Sequence, residues 1–217
     1  MELSSTALRR RAAFHAALGD PHRLGIVELL HQSDLTPTEL ARRLGIDSNL
    51  FAHHVRILKS AGLVHEVHSA ADGRRRYLQL VPESPLEIGA AAPRSVLFVC
   101  TQNSARSQLA AALFKRARGG VAESAGTHPA LEIHPLARVI ARRHRLLLSG
   151  APQRLDSVTL RPELLVTVCD QANEELRETA LPRLHWSIPD PAKRGTVAAF
   201  ESAYETLSER VQRLVAA

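Results

Sequence analysis

The segment Ser95-Val-Leu-Phe-Val-Cys100-Thr101-Gln102-Asn103-Ser104-Ala105-Arg106-Ser107 decides the fold of the second half of this 217-residue chain. Its first six residues are typical of a buried strand, and the pattern from Ser107 to Ala117 is typical of a helix. A strand that ends in Cys, then five residues, an Arg and a helix, directs several backbone N–H groups toward one point above the thiol. The helix dipole also favours negative charge there. The spacing therefore predicts a nucleophilic Cys100 in a loop that binds a tetrahedral oxyanion.

The side chains of this loop indicate how the anion would be held and attacked. The Arg106 guanidinium can bind two anion oxygens at once, and the Ser107 hydroxyl can donate a hydrogen bond to the sulfur. The expected chemistry is in-line attack of sulfur on phosphorus or arsenic, with a covalent intermediate. Asp190 lies between Pro189 and Pro191, a placement that suits either a turn-forming residue or a general acid. The residues alone leave both interpretations of Asp190 open.

Further strands and helices are predicted around this loop. Short apolar stretches predict strands at residues 122–125, 164–168 and 184–187, and helical patterns cover residues 135–145 and 196–214. Alternating strands and helices predict an α/β domain over residues 95–217, with a parallel sheet flanked by helices.

The first 82 residues predict a winged helix-turn-helix domain. Asp20-Pro21 and Thr36-Pro37 each provide an N-cap followed by a proline, and Gly45 provides a turn before a helix from Ser48 to Ser60. Alternating residues at 63–68 and 75–81 predict two strands joined by the turn at 71–73. Residues 83–94 contain prolines and small residues without a clear period, so we expect a linker between the domains there.

Composition limits the possible classes of protein. The apolar runs are too short for a membrane helix of about 20 residues, and the N-terminus lacks the pattern of a signal peptide. We therefore expect a cytoplasmic protein with no membrane partner. Two cysteines argue against a disulfide framework. The net charge of +6 arises mainly in residues 91–217, where 17 Lys and Arg face 12 Asp and Glu, so it does not by itself indicate nucleic-acid binding.

The segment from Val96 to Ala112 resembles the active-site segment of the low-molecular-weight protein-tyrosine-phosphatase superfamily, which includes the thiol-relay arsenate reductases. The resemblance extends through residues 124–127, 166–170 and 185–191 to the final helix. It implies that Cys100 is the nucleophile, Arg106 the oxyanion clamp and Asp190 the general acid. It also implies that Asn103 and Ser107 stabilise the loop.

Two features resemble the arsenate-reductase branch: Thr-Val-Cys-Asp at residues 167–170 and His-Trp before the Asp-Pro pair. The resemblance makes Cys169 the candidate resolving thiol, but Leu176 occupies the position expected for a third relay cysteine. Three fates of the Cys100 sulfur after its attack remain open: a disulfide with Cys169, a mixed disulfide with a small thiol, or phosphatase turnover alone without oxidation. The protein would bind no cofactor but would need an external reductant, thioredoxin-like or a small thiol, for reduction. Gln102 stands where the resembled family usually has Gly, and its side chain is expected to reshape the mouth of the loop.

Residues 7–81 resemble the arsenic-repressor (ArsR) family of winged-helix dimers, notably at residues 18–24, 53–58 and 61–64. The two cysteines that bind arsenite in its founding members are absent. The resemblance implies a homodimer through this domain and an operator of double-stranded DNA. The helix in the major groove would present Ser48, Asn49, His53 and Arg56, and the wing would contact phosphates through Arg74, Arg75 and Arg76.

Metal binding is not expected, because adjacent His53 and His54 diverge on a helix and neither has a ligand residue at i+4.

Three functions remain to be compared. The first, which we favour, is a regulator fused to an arsenate reductase that acts on arsenate, with phosphate or a phosphoester as the alternative substrate. The second is a repressor that senses an oxyanion or a thiol without turnover, and the third is a phosphatase whose winged helix only dimerises.

Overall fold

A computed structural model describes residues 5–81, 92–118, 120–176 and 181–216. Two compact units are present, one including residues 5–69 and 73–81 and the other including the described residues from 92 onward. The predicted linker, residues 83–94, lies largely outside the described ranges. In those ranges no helix combines the length and the apolar character that crossing a bilayer requires.

Four helices form most of the N-terminal unit, and their starts follow from the capping residues of the sequence. The Asp20 and Asp47 carboxylates each accept two backbone N–H groups, and Thr36 forms a capping box with Glu39. Proline follows Asp20 and Thr36 at the first helical position, as predicted. The helices are α1 (Ser5–Leu18), α2 (Pro21–Gln32), α3 (Pro37–Leu44) and α4 (Ser48–Ser60).

Helices α3 and α4 form the predicted helix-turn-helix. Gly45 has a φ of 66°, the left-handed conformation that favours glycine, and it ends α3. Leu30, Leu40 and Leu58, from three different helices, are fully buried in the core of this unit. Burial of these side chains fixes α4 against α2 and α3 and leaves its opposite face to solvent.

The wing is an antiparallel pair of strands, β1 (Val64–His68) and β2 (Arg76–Leu80), with Val64 opposite Leu80. An isolated bridge from Leu35 to Leu78 ties the segment between α2 and α3 to β2, a pairing that the sequence did not predict. The N-terminal unit is therefore a winged helix, as expected.

The C-terminal unit contains a parallel sheet in the order β4-β3-β5-β6. Its strands are β3 (Ser95–Cys100), β4 (Val121–Gly126), β5 (Leu164–Thr167) and β6 (Arg183–His185). The chain leaves β3 for β4 on one side and returns to β5 on the other, which opens a crevice at the carboxyl ends of β3 and β5. The predicted parallel sheet is confirmed, although β6 ends two residues before the predicted limit.

Helices cover this sheet, and aromatic side chains fill its core. Phe98, Phe114, Trp186 and Phe200 are almost completely buried, and the rings of Phe98 and Trp186 are 5.8 Å apart. The described helices are α5 (Arg106–Arg118), α6 (Pro135–Arg143), α7 (Asp170–Glu175), α8 (Pro191–Arg194) and α9 (Val197–Val215), with a 3-10 turn at Leu155–Ser157. The short α7 and α8, which were not predicted, begin directly after Cys169 and Asp190.

Candidate active site

Cys100 lies at the carboxyl end of β3, and α5 begins six residues later at Arg106. The Cys100 side chain is buried, with 2% of its surface exposed. The first backbone N–H groups of α5 lack partners within the helix, and its dipole favours an anion at this end. The strand, the loop and the helix therefore follow one another as the sequence predicted, and oxyanion binding at this loop stays a prediction.

The sulfur of Cys100 has two polar contacts inside the loop. Its Sγ lies 3.0 Å from the Ser107 hydroxyl and accepts the Asn103 backbone N–H over 3.2 Å. Because the Asn103 side-chain amide donates to the Ser107 oxygen over 2.8 Å, the hydroxyl hydrogen of Ser107 can point to the sulfur. A thiolate, the nucleophilic form of cysteine, can accept hydrogen bonds from both groups.

Asn103 holds the loop in a conformation that few residues adopt. Its φ is 49°, in the left-handed region where Asn is better tolerated than most side chains. Its Oδ1 accepts the Gln153 backbone N–H over 2.9 Å and the Gln108 side-chain amide over 3.3 Å. Together with the bond to Ser107, these contacts tie the loop to α5 and to the segment before the 3-10 turn.

Gly126 is the point of closest approach between β4 and the loop. A Cβ at Gly126 would lie 2.7 Å from the Thr101 carbonyl oxygen and 3.1 Å from the Asn103 backbone nitrogen. Its amide donates to the Gln153 carbonyl over 2.9 Å. The loop therefore requires glycine here because no side chain fits between β4 and the loop backbone.

Arg106 and Asp190 face each other across the crevice. Arg106 Nη1 donates to the Ile188 carbonyl over 2.8 Å, and its Nη2 is 3.4 Å from Asp190 Oδ2. Asp190 Oδ1 accepts the Ala192 backbone N–H over 3.1 Å and caps α8. The sequence left Asp190 as either a turn-forming residue or an acid; the cap of α8 fits the first interpretation, and the role of general acid stays a prediction.

Cys169, the second cysteine, lies close to the first. It directly follows Val168, whose amide donates to the Val99 carbonyl over 2.8 Å, and it is the N-cap residue of α7. Its Sγ is 3.4 Å from the Thr101 hydroxyl. Burial raises the pKa of the Cys169 thiol, and the charge of Cys100 raises it further. Both effects favour the protonated form of Cys169.

A buried polar network supports the segment that carries Cys169. His185 Nε2 lies 3.1 Å from Asp170 Oδ1, and its Nδ1 lies 3.0 Å from the Thr167 hydroxyl. Burial acts to raise the pKa of the Asp170 carboxyl, but its hydrogen bonds, including that from His185, outweigh burial and lower it. The charged carboxylate thus joins the start of α7 to β6.

The remaining loop residues divide into a buried half and an exposed mouth. Ser104 and Ala105 are buried, whereas Gln102 is exposed and its side-chain oxygen accepts from the Ser104 hydroxyl over 3.4 Å. A cavity of about 200 Å³ opens at this mouth, and its lining includes Thr101, Gln102, Arg106, Cys169 and Asp190. The structure thus brings together the catalytic candidates that are far apart in the sequence.

The candidate DNA-binding residues lie in the N-terminal unit. The structure leaves Ser48, Asn49, His53 and Arg56 exposed along α4. In the wing, Arg74 and Arg76 are exposed and Arg75 is partly buried. Arg76 also pairs with Glu66 over 2.9 Å, so part of its charge is neutralised within the wing.

One group of potential metal ligands was not expected. Asp20, His22 and His54 each place one ligand atom within 4.8 Å of the others. The sequence argument against a metal site used only the spacing of ligand residues within α4. This group instead joins α4 to the start of α2.

Each of the two units matches a known family model. The family model described as low molecular weight phosphotyrosine protein phosphatase matches residues 95–217, more than half of the chain. The chain belongs to this phosphatase family. A second model, described as a helix-turn-helix domain, matches residues 18–67. The predicted fusion of a helix-turn-helix domain to a low molecular weight phosphatase domain is therefore confirmed.

Individual relatives include arsenate reductases. The chain is 29% identical over 129 residues to an arsenate reductase of Bacillus cereus, an alignment that covers 55% of this chain and 92% of that protein. The crystal structure of an arsenate reductase from Archaeoglobus fulgidus is 34% identical, with a TM-score of 0.51, and the match covers 55% of this chain and 98% of that one. A tyrosine phosphatase of Erwinia amylovora, at 23% identity, shares the fold with a TM-score of 0.50 over 59% of this chain and 95% of its own.

Several residues of this low molecular weight phosphatase site were not predicted from the sequence. Thr101 was predicted as part of the oxyanion-binding loop but not as a partner of Cys169, and the amides of Gln108 and Gln153 around Asn103 had no predicted role. Gly126 falls within the Ser-Ala-Gly-Thr segment that carried part of the resemblance. Its position directly after a predicted strand was the one available signal of a close backbone approach.

Proposed function

We propose that this chain is a DNA-binding regulator fused to a cysteine-dependent arsenate reductase. The observation that carries the proposal is the placement of Cys169 beside the loop of Cys100, close enough for the charge of one sulfur to affect the other. A phosphatase needs one nucleophilic sulfur, whereas reduction of arsenate needs two thiols to supply two electrons. We further propose that the protein acts in the cytoplasm, as a homodimer through its N-terminal domain.

In the first step the Cys100 thiolate attacks arsenic and forms a sulfur–arsenic bond. The backbone N–H groups of the loop and the Arg106 guanidinium stabilise the charge on the arsenate oxygens. A hydroxyl group of arsenate departs as the sulfur–arsenic bond forms, and it leaves as water because it takes one proton from the Asp190 carboxyl, which faces Arg106 across the crevice.

In the second step the Cys169 thiolate attacks the sulfur of Cys100. The sulfur–arsenic bond breaks, its electron pair reduces arsenic from the +5 to the +3 state, and arsenite leaves as the disulfide forms. Once Cys100 is bound to arsenic it no longer carries the charge that raises the pKa of Cys169. Formation of the first bond therefore favours loss of the Cys169 proton, so the two thiols act in the required order.

An external thiol must then reduce the enzyme. Leu176, at the end of α7, occupies the place of a third relay cysteine, so the oxidised sulfur is not passed further along this chain. Two routes fit the residues. A thioredoxin-like protein reduces the Cys100–Cys169 disulfide, or, in place of the second step, a small thiol attacks the Cys100 sulfur, releases arsenite and leaves a mixed disulfide that a second small thiol reduces.

Phosphoester hydrolysis is the second candidate activity. The facing pair of Arg106 and Asp190 supports it, since the same groups would clamp a phosphoryl group and protonate an alcohol leaving group. This route needs Cys100 but not Cys169. A third candidate, an oxyanion or thiol sensor without turnover, rests on the missing third thiol and on Gln102 at the mouth of the loop.

Parallel assays separate these activities. Arsenate reduction, with thioredoxin or a small thiol as reductant, and aryl-phosphate hydrolysis are measured on the wild type, Cys100→Ser and Cys169→Ser. We expect Cys100→Ser to abolish both reactions and Cys169→Ser to abolish reduction alone. Full reduction by Cys169→Ser would exclude the proposed second step. If the wild type catalyses neither reaction but releases DNA when an oxyanion binds, the sensor function is favoured.

The exposed polar side chains of α4 support the proposed DNA binding. An operator fragment bound by the wild type should bind Arg56→Ala more weakly, with a salt-dependence slope reduced by about 1 if Arg56 contacts a phosphate. Arg142→Ala, an exposed arginine of the C-terminal unit, is the matched control. Equal affinity of the wild type and Arg56→Ala would contradict the assignment of α4.

A further inference from the structure

The N-terminal unit contains a polar cluster that the proposed function does not use. Asp20 is the N-cap residue of α2, His22 lies in the first turn of α2, and His54 lies on the inner side of α4. Asp20 Oδ1 is 3.6 Å from His54 Nδ1 and 3.9 Å from His22 Nδ1. The two imidazole rings are tilted toward each other, with centroids 5.2 Å apart.

His54 is the unusual member of this cluster. Only 5% of its surface is exposed, and among the described residues neither ring nitrogen has a hydrogen-bond partner. Buried polar groups are normally paired, because removal from water without a new partner costs free energy. The Nδ1 of His54 is directed toward the Asp20 carboxylate but remains beyond hydrogen-bond distance. A group placed between them would give His54 Nδ1 the partner that it lacks, whereas Asp20 Oδ1 already accepts the backbone N–H groups of His22 and Arg23.

We propose that Asp20, His22 and His54 bind a divalent transition-metal ion with the ligand preferences of Zn²⁺. Two imidazoles and a carboxylate are a common ligand set for such an ion. Tetrahedral coordination with bonds of roughly 2.0–2.1 Å puts neighbouring ligand atoms about 3.4 Å apart. The observed separations of 3.6 and 3.9 Å are only slightly larger, so small side-chain movements close the site. This inference is independent of the proposed enzyme.

The protonation states of the ligands are suitable for a cation. Burial lowers the pKa of His54, which favours the neutral imidazole that metals require. The backbone N–H of Arg23 lowers the pKa of the Asp20 carboxyl, so this ligand is anionic. The Arg23 guanidinium opposes a cation by its charge, but its Nε donates to the Ala17 carbonyl outside the ligand set. The side chain of His22 is 42% exposed, which leaves an open side where water can complete the coordination.

The site would connect two helices of the N-terminal unit, α2 and α4. Asp20 and His22 belong to the start of α2, whereas His54 belongs to α4, which carries the exposed residues Asn49, His53 and Arg56. A bound ion would therefore add a bond between α4 and α2 that the apolar core does not supply.

Metal titration of the full chain tests the proposal. The protein carries no added histidine tag, and Cys100 and Cys169 are replaced by serine so that thiols cannot bind the ion. Zn²⁺ binding is followed by calorimetry, and Co²⁺ binding by its visible absorption. We expect one equivalent to bind and to raise the melting temperature. Absence of saturable binding would overturn the proposal.

Matched histidine variants locate the ion. His22→Gln and His54→Gln each remove one ligand and should weaken Zn²⁺ binding by roughly 100-fold or more, beyond the 10–100-fold typical of residues that only support ligands. His53→Gln changes the exposed neighbour of His54 and should bind as the parent does. Because the His22 side chain is partly exposed, we expect its variant to keep the fold even if His54→Gln does not. Equal affinities for His22→Gln and His53→Gln would refute the site.

Discussion

Replacing Gly126 with alanine tests whether the oxyanion loop depends on close packing against β4. The new Cβ would lie 2.7 Å from the Thr101 carbonyl oxygen, compared with about 3.5 Å for an unstrained contact. The loop must therefore recede by roughly 0.8 Å, because the opposing atoms belong to the backbone and cannot rotate away. The Cβ would also lie 3.1 Å from both the Cβ and the backbone nitrogen of Asn103, and this nitrogen donates to the Cys100 sulfur.

The size of the effect follows from this displacement. Overpacking of a well-packed site costs roughly 1–3 kcal/mol of stability. A misplacement of about 1 Å at a reacting centre costs on the order of 100-fold in rate, so we expect kcat/KM to fall by about 10–100-fold. Phosphate and arsenate should also bind more weakly, because their donors are the displaced N–H groups.

The assay combines turnover with binding, so that it remains informative for a slow enzyme. Aryl-phosphate hydrolysis gives kcat/KM, and protection of Cys100 from alkylation by phosphate gives the affinity for the anion. Gly150→Ala is the matched control, since a Cβ there has no neighbour within 4 Å. Wild-type turnover and anion affinity in Gly126→Ala would refute the argument that the loop needs this glycine.

Three further predictions concern the same site. Asn103→Ala removes three side-chain hydrogen bonds worth about 1 kcal/mol each, and chemical denaturation should show a loss of roughly 2–3 kcal/mol; an unchanged midpoint would contradict its role in the loop. Asp190→Asn should slow hydrolysis of esters with poor leaving groups by on the order of 100-fold and spare those with good ones, whereas uniform slowing would indicate a structural role alone. Because the pKa of Cys169 is raised, arsenate reduction should increase with pH into the alkaline range, whereas hydrolysis by the same enzyme should lack this increase. A parallel pH profile for both reactions would show that Cys169 is not the titrating group.

Local features of the fold were predictable because short segments specify them. The caps at Asp20 and Thr36 and the turn at Gly45 depend on neighbours within a few residues, and all three are present as predicted. The strand before Cys100 and the helix after it follow from the same kind of local signal. The order of strand, loop and helix around Cys100 could therefore be predicted without any tertiary contact.

Contacts between distant segments were not predictable in this way. The Asn103 side chain binds Gln153, fifty residues away, and the Thr101 hydroxyl approaches Cys169 from another strand. Helices α7 and α8 span six and four residues, which is too short for a helical period to show in a sequence. The pairing of Asp20 with His54 depends on packing of α2 against α4, which no spacing within one helix reveals.

The two oxygens of a free carboxylate are chemically equivalent, but the fold distinguishes those of Asp190. Oδ1 accepts the Ala192 N–H at the start of α8, and Oδ2 faces the Arg106 guanidinium. A proton carried on Oδ2 leaves the bond to α8 intact, whereas one on Oδ1 would weaken it. The backbone hydrogen bond thus makes the two oxygens of Asp190 inequivalent: one is engaged by α8 and the other faces the crevice.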